Sequence, residues 1–220
     1  MLKHFTMIFV LLVSLVPSLS EASPFTRWNL DMLGFSSNSR YFVIVESVTE
    51  AGSGIARAKL MVTNVATNQC VRGGCLFASG SEKNLGTEKR LLRQVYRKTW
   101  KIRKNRQLTP PRGGYRAKGP FFDEDCNSAY YLYDNQKIVV RMLQKKSWPQ
   151  KTSVQLEVSV GNIKKNLDSL DNYREDVQKY QLGYLFISPN KRSLAILVYV
   201  FYQAFEGQEV TTIVQTTRLF

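Results

Sequence analysis

Two stretches of this chain, 152 residues apart, carry closely similar text. Leu33-Gly-Phe-Ser-Ser-Asn-Ser-Arg40 followed by Tyr-Phe-Val-Ile-Val matches Leu185-Phe-Ile-Ser-Pro-Asn-Lys-Arg192 followed by Ser-Leu-Ala-Ile-Leu. The same offset sets residues 59–65 on residues 211–217. Each copy reads as a turn, an apolar strand, a loop containing glycine and a second strand, because turn formers stand at successive positions before a β-branched run. Such turn–strand units recur in β-propeller blades, but two copies are too few to bury a continuous propeller core. The duplication predicts two related hairpins, one near each end of a β-rich domain.

The rest of the chain agrees. Residues 41–48, 59–65, 130–133, 137–143, 153–160, 194–202 and 210–217 are rich in Val, Ile, Tyr and Phe and are bounded by Gly, Asn, Ser or Pro, which is the pattern of strands. Asp134-Asn135-Gln136 reads as a tight turn between two of them. Residues 162–176 are polar and charged and read as a loop with a short helix. A clear helix begins at Thr87 or Ser81 and runs to about Arg106. At about 100° per residue, Leu91, Leu92, Val95, Tyr96, Thr99, Trp100 and Ile102 fall on one half, while Arg90, Arg93, Arg97, Lys98, Lys101 and Lys104 fall on the other. Arg103 and Arg106 break that segregation. The expected fold class is α+β and β-rich: a single domain of mainly antiparallel strands, two related terminal hairpins and one amphipathic basic helix packed on the sheet.

The first residues read as an address. Lys3 and His4 precede an apolar run from Phe5 to Val16, Pro17 breaks it, and Ser20-Glu21-Ala22 supplies small residues where a signal peptidase reads. The run is shorter than the ~20 apolar residues of a spanning helix. No Cys follows it, so lipoprotein processing has no substrate. The expectation is a signal peptide over residues 1–22, a secreted or periplasmic domain over residues 23–220, and no transmembrane helix after cleavage.

That cleavage narrows the chemistry. The chain has a single histidine, His4, inside the expected signal. Without it there is no Ser-His-Asp triad, no Cys-His pair and no His-ligated zinc. Gly52-Ser-Gly54 lacks the continuation of a P-loop, and neither a nucleophile elbow nor a dinucleotide fingerprint occurs, so no cofactor is expected. Three carboxylate or amide groups, Asp123, Asp125 and Asn127, have the spacing of a calcium loop, with Asp134 at its twelfth position. Ser128 stands where that loop needs glycine, and Asp134 where it needs a bidentate Glu. They are weak metal candidates, and no metal is expected. Glu206 and Glu209 flank Gly207 and are the carboxylates a hydrolase would draw on, together with Asp123 and Asp125. The three cysteines, Cys70, Cys75 and Cys126, leave one unpaired if any two bridge. Cys70 could close on Cys75 across Gly73-Gly74, and Cys126 could pair with either.

Charge points elsewhere. The net charge is +14, and the segment from Lys83 to Lys118 holds thirteen Lys and Arg against the single acid Glu88, a net +12. A cationic face on an exported protein implies an anionic partner: lipid, lipopolysaccharide or an acidic protein. Nucleic acid fits the charge but not the compartment, and no nucleic-acid motif accompanies it. The site residues expected for such a partner are Arg90, Arg93, Arg97, Lys98, Lys101 and Lys104. The chain is thus expected to be a non-catalytic binding module. A carboxylate- or metal-dependent hydrolase of the envelope is the first alternative, and a small outer-membrane β-barrel the second.

Leu33-Gly-Phe-Ser-Ser-Asn-Ser-Arg-Tyr-Phe42, Leu60-Met-Val-Thr-Asn-Val65 with the charged helix after it, and Ser188-Pro-Asn-Lys-Arg-Ser-Leu-Ala-Ile-Leu continuing to Phe205-Glu206-Gly207 also resemble a family of bacterial predicted secreted proteins, domain of unknown function 2259. Residues 117–176 carry no part of the likeness. Ser37 and Ala204 depart from it, standing where Pro and Gly would be expected. The resemblance implies export and a shared fold, and it implies no activity.

Overall fold

The structure is a computed structural model and describes residues 25–123, 127–204 and 207–219. Three open sheets and one helix form the described chain. The first sheet orders β2 (Asn29–Phe35), β3 (Tyr41–Thr49), β4 (Ala56–Asn64) and β5 (Gln69–Ser79) as a meander. Helix α1 (Glu88–Asn105) follows. The second sheet holds β7 (Lys118–Phe122), β8 (Ser128–Tyr133), β9 (Gln136–Ser147), β10 (Lys151–Val160) and β11 (Ile163–Asp168), with β12 (Arg174–Glu175) also on β10. The third orders β1 (Phe25–Arg27), β15 (Gly207–Arg218), β14 (Ser193–Ala204), β13 (Val177–Ile187) and β6 (Tyr115–Arg116). All pairings are antiparallel except β1 on β15.

Apolar patterning stacks these into layers. Val43 and Val45 of β3 pack with Leu91 and Val95 of α1. Phe42 and Ile44, on the opposite face of the same strand, pack with Ala195 and Leu197 of β14. Leu194, Ile196 and Val198 then face Tyr131, Val140 and Leu156 of the second sheet. The order is helix, first sheet, third sheet, second sheet. β3 and β14 are buried on both faces, which is why they read as continuous apolar runs rather than alternating ones.

The duplicated text folds alike. Phe35 pairs with Phe42, and Ile187 with Leu194. In each turn the serine hydroxyl accepts from a backbone N–H five residues on, Tyr41 or Ser193, at 3.0 Å, and donates to the next-but-one asparagine at 2.7 Å. Asn38 and Asn190 accept from the N–H groups of Arg40 and Arg192 at 3.1 Å. Ser39 and Lys191 both take left-handed backbones, φ 56° and 59°. The shared Ser-x-Asn thus replaces the hydrogen bonds a tight turn leaves unmade. The 152-residue offset does not extend through the next strand, however. Tyr41 pairs with Asn64, whereas Ser193 pairs with Arg218, so the second copy is two residues longer there. Its hairpin closes with twelve pairs across a short connection, while the first closes with nine across residues 50–55.

Residues 162–176 contain no helix. β11 and β12 both pair with β10 there; their polar side chains lie at a sheet edge, where alternation is weak. The Asp134-Asn135 turn is as expected: Tyr133 pairs with Gln136 and both turn residues have positive φ. No sheet closes on itself among the described residues, so the second alternative, a β-barrel, gives way to the expected β-rich domain as an open, layered stack. No described helix is long and apolar enough to cross a membrane.

Candidate functional site

The helix is held on the first sheet from both ends. Thr87 caps it, accepting from the Arg90 N–H at 3.3 Å. Glu88 in the first turn accepts from Ser47 (2.6 Å) and Thr49 (2.9 Å), where its charge also suits the helix N-terminus. Tyr96 donates to Asp31 of β2. At the far end Arg106 donates to the Tyr41 hydroxyl at 2.8 Å and lies over its ring. Between them Leu91, Val95 and Thr99 are buried.

Two residues depart from the expected stripe. Trp100 is half exposed and Arg103 is buried. Arg103 donates to Thr99 (3.2 Å) and the Tyr96 carbonyl (3.0 Å), and its guanidinium lies over the Tyr96 and Trp100 rings. The aromatic pair shields a cation that the stripe could not otherwise take. The Cys70–Cys75 disulfide supports the same region. It spans a bulge of β5 against Met61 and Thr63, where Gly73 takes a left-handed backbone, φ 70°, that favours glycine, with the Ile102 side chain 3.2 Å from where a Cβ would stand. Cys126 lies outside the described residues.

Arg90, Arg93, Arg97, Lys98, Lys101 and Lys104 are all exposed. Among the described residues none of them makes an ion pair; the ion pairs fall on other sheets and turns. The structure therefore brings the six expected cations to one open face of a helix packed on the first sheet.

Of the carboxylate candidates, the described pair Asp123 and Glu209 do not converge, one lying beside the second sheet and the other on the third. Asp123 accepts from the Ser128 N–H (3.1 Å) and hydroxyl, which hold its carboxyl below the ordinary carboxylate value. Asn127 lines a hollow of about 390 Å³ with Asp123 and Arg141; Asp125 is outside the described residues. Asp134, the twelfth position of the calcium-loop reading, pairs with Lys191 at 2.7 Å. Glu209 sits on another sheet, accepting from the Trp28 indole at 2.5 Å with Arg57 at 3.9 Å, and Glu206 is outside the described residues. No cluster of three potential metal ligands exists among the described residues.

Sequence reasoning missed two interlayer networks. β1 covers the outer edge of β15 only at residues 208–210. Beyond it, side chains stand in for the missing strand. Glu46 accepts from the Thr212 N–H (3.3 Å), Lys59 donates to the Thr212 carbonyl (2.7 Å), and Asn68 accepts from the Thr216 N–H (2.7 Å). Glu46 and Lys59 pair at 2.9 Å. Burial lowers the Lys59 pKa, although Glu46 opposes it. The second network centres on Asp168, which accepts from Arg174 (2.7 Å), Asn172 (2.9 Å) and Gln215 (3.0 Å). Gln215 in turn accepts from Asn68, so all three sheets are tied in one cleft of about 690 Å³. Burial alone would raise the Asp168 pKa; the hydrogen bonds from Arg174 and Asn172 outweigh it and hold the carboxyl below its usual value. Both networks are satisfied from within, which is the signature of architecture rather than of an open site. The only sequence signal for them is strand register, since Glu46 and Lys59 face each other across β3 and β4.

No curated protein matches the chain at a significant level. The family model described as predicted secreted protein, domain of unknown function 2259, matches residues 45–218, from β3 through the last strand, and the chain belongs to that family.

Proposed function

We propose that this protein is an exported, non-catalytic interaction module whose α1 face contacts an anionic component of the cell envelope, lipid, lipopolysaccharide or acidic protein. The observation that carries the reading is the set of six exposed helix cations with no ion-pair partner among the described residues. Charge runs that serve only as a solvated surface are commonly laced with i,i+4 acids, and here Glu88 is the only acid in the helix. Export follows from the family's description as secreted. Signal cleavage after Ala22 and a periplasmic destination are part of this proposal, and N-terminal sequencing of the exported protein should begin at Ser23.

The test is binding to vesicles containing anionic lipid and, in parallel, to lipopolysaccharide, as salt is raised. Binding should fall steeply with ionic strength. Replacing Arg93, Arg97, Lys101 and Lys104 together by Gln should remove most of it. Binding that survives both treatments would sink the proposal.

A further inference from the structure

The β9–β10 hairpin closes with the three-residue loop Trp148-Pro149-Gln150, between Ser147 and Lys151, which pair across its base. Gln150 takes a left-handed backbone, φ 55°, as the last residue of such loops commonly does. Trp148 is 90% exposed, whereas the other exposed large apolar side chains among the described residues reach at most 60%. A solvent-facing indole on a short, paired turn presents a large flat apolar surface in a fixed place.

Beside it lies a concavity of about 670 Å³, inside the ~300–1,000 Å³ range of small-molecule sites. Trp148 forms one side of it, and Gln150, Gln178 and Gln203 contribute amides. Gln178 is held in a relay, donating to Gln203 and accepting from Gln208 at 2.7 Å. At the back Thr152 is anchored to the Val177 carbonyl at 2.7 Å. Charge is close to balanced here: Lys146, Lys151 and Asp176 all line the concavity, and Lys151 pairs with Glu175 at 3.0 Å. The contrast with α1 is chemical. A site with opposed charges has little net field with which to favour an anion. Each glutamine amide offers both a donor and an acceptor, as each hydroxyl of a ligand does. An aromatic plane beside such amides suits a ring with one face of C–H groups and an edge of hydroxyls.

We infer that this cleft binds a neutral polyhydroxylated ligand, the pyranose unit of an oligosaccharide, stacked on Trp148 with its hydroxyls met by Gln150 and Gln178. The site lies on the second and third sheets, whereas α1 packs on the first. Its test is therefore separate from that of the cationic face.

The full chain is titrated with maltotriose, cellotriose and N,N′,N″-triacetylchitotriose to about 20 mM, a range in which millimolar affinity is largely saturated, while tryptophan fluorescence and heat are followed. At least one trisaccharide should titrate saturably, and the affinity should be unchanged at about 0.5 M salt, where charge–charge attraction is screened. Trp148→Ala should weaken binding about tenfold or more, as truncating an aromatic anchor does. Gln178→Leu should weaken it by a smaller factor, and replacement of Arg93, Arg97, Lys101 and Lys104 by Gln should leave it unchanged. Circular dichroism of Trp148→Ala should match the parent, since the side chain is in solvent. Failure of all three sugars to titrate, or the same curve in Trp148→Ala, overturns the inference. So does a fluorescence shift that appears only with lipid vesicles and is lost in Trp148→Ala, because it reassigns the tip to a bilayer interface.

Discussion

Lys59 and Lys101 carry the same ammonium group in opposite surroundings. Lys59 lies between two sheets, bonded to Glu46 and to the edge of β15. Lys101 stands on the open face of α1 with no ion-pair partner among the described residues. The interior charge is committed to architecture: it ends a strand edge that would otherwise lack partners. The exterior charges stabilise nothing visible in the fold, and their row along one helix face is what an outside partner can use. In the proposed reading, anion binding is therefore sought where charge is uncompensated, and stability where buried charge is paired.

The sharpest way to break that contrast is to orphan the interior charge. Glu46→Leu leaves Lys59 buried without its counter-charge, and such unpaired burial costs about 3–5 kcal/mol. Urea denaturation should show a loss of that size. In the double variant Glu46→Leu with Lys59→Met most of the loss should return. A residue of about 1–3 kcal/mol should persist, because the Thr212 N–H and carbonyl lose their partners. A single variant with an unchanged midpoint would mean that water reaches the pair, and the contrast with α1 would collapse.

A smaller loss should follow removal of the Cys70–Cys75 bridge. Closing so short a loop restricts the unfolded chain by about 2 kcal/mol, and Cys70→Ser with Cys75→Ser should forfeit roughly that much in thermal unfolding. Hydrogen exchange should quicken near Ile102, where the bulge meets α1, and leave the second sheet unchanged. Asp168→Asn tests the second interior network. It removes a charge-assisted bond to Arg174, worth about 1–2 kcal/mol at neutral pH. The carboxyl is depressed in the fold, so its contribution is present above the unfolded value near ~3.9 and is lost as pH falls through the lower folded value. The parent should lose stability on acidification below about pH 4 more steeply than the variant; equal slopes would show that Asp168 carries no such linkage.

The contrast also explains what could be read from the residue order. The helix was legible because its signal is local: Thr87 precedes a 3.6-residue apolar pattern, and the observed span Glu88–Asn105 lies within the expected one. The seven apolar runs all became strands, and the duplicated Ser-x-Asn turns were visible because their hydrogen bonds close within five residues. The short β1, β6, β7 and β12 were not recognised as strands, and nor were the longer β2, β5, β11 and β13. Gly34, Gly73, Gly74 and Gly183 interrupt three of them, and Lys164, Lys165 and Asn166 make the fourth polar. Gly183 shows why: a Cβ there would lie 2.9 Å from the Leu197 carbonyl, so the strand needs a residue that weakens its own signal. Glu46–Lys59 and Asp168–Gln215 depend on register and on layer order, which no window of sequence contains. Trp148 was passed over because an exposed tryptophan and a buried one read alike; its neighbour Pro149 and the flanking lysines were the available cue.

The smallest expected effect on stability comes from the exterior charges, and its sign is informative. Arg93 and Arg97, and Arg97 and Lys101, are like charges four residues apart on one helix face, an arrangement that destabilises by a few tenths of a kcal/mol per pair, about 0.2–0.5. Replacing Arg93, Arg97, Lys101 and Lys104 by Gln relieves those pairs and exchanges good helix formers for another. The melting temperature of the variant should therefore hold or rise slightly, most visibly at low salt, while its affinity for anionic vesicles falls. Unfolding scans at low and high ionic strength separate the two effects: the stability difference should shrink with salt, as surface electrostatics do. A variant that melts well below the parent would show that these cations support the fold as Lys59 does. A variant that melts at or above the parent and no longer binds would show a helix face that carries repulsive charge to the benefit of its partner alone.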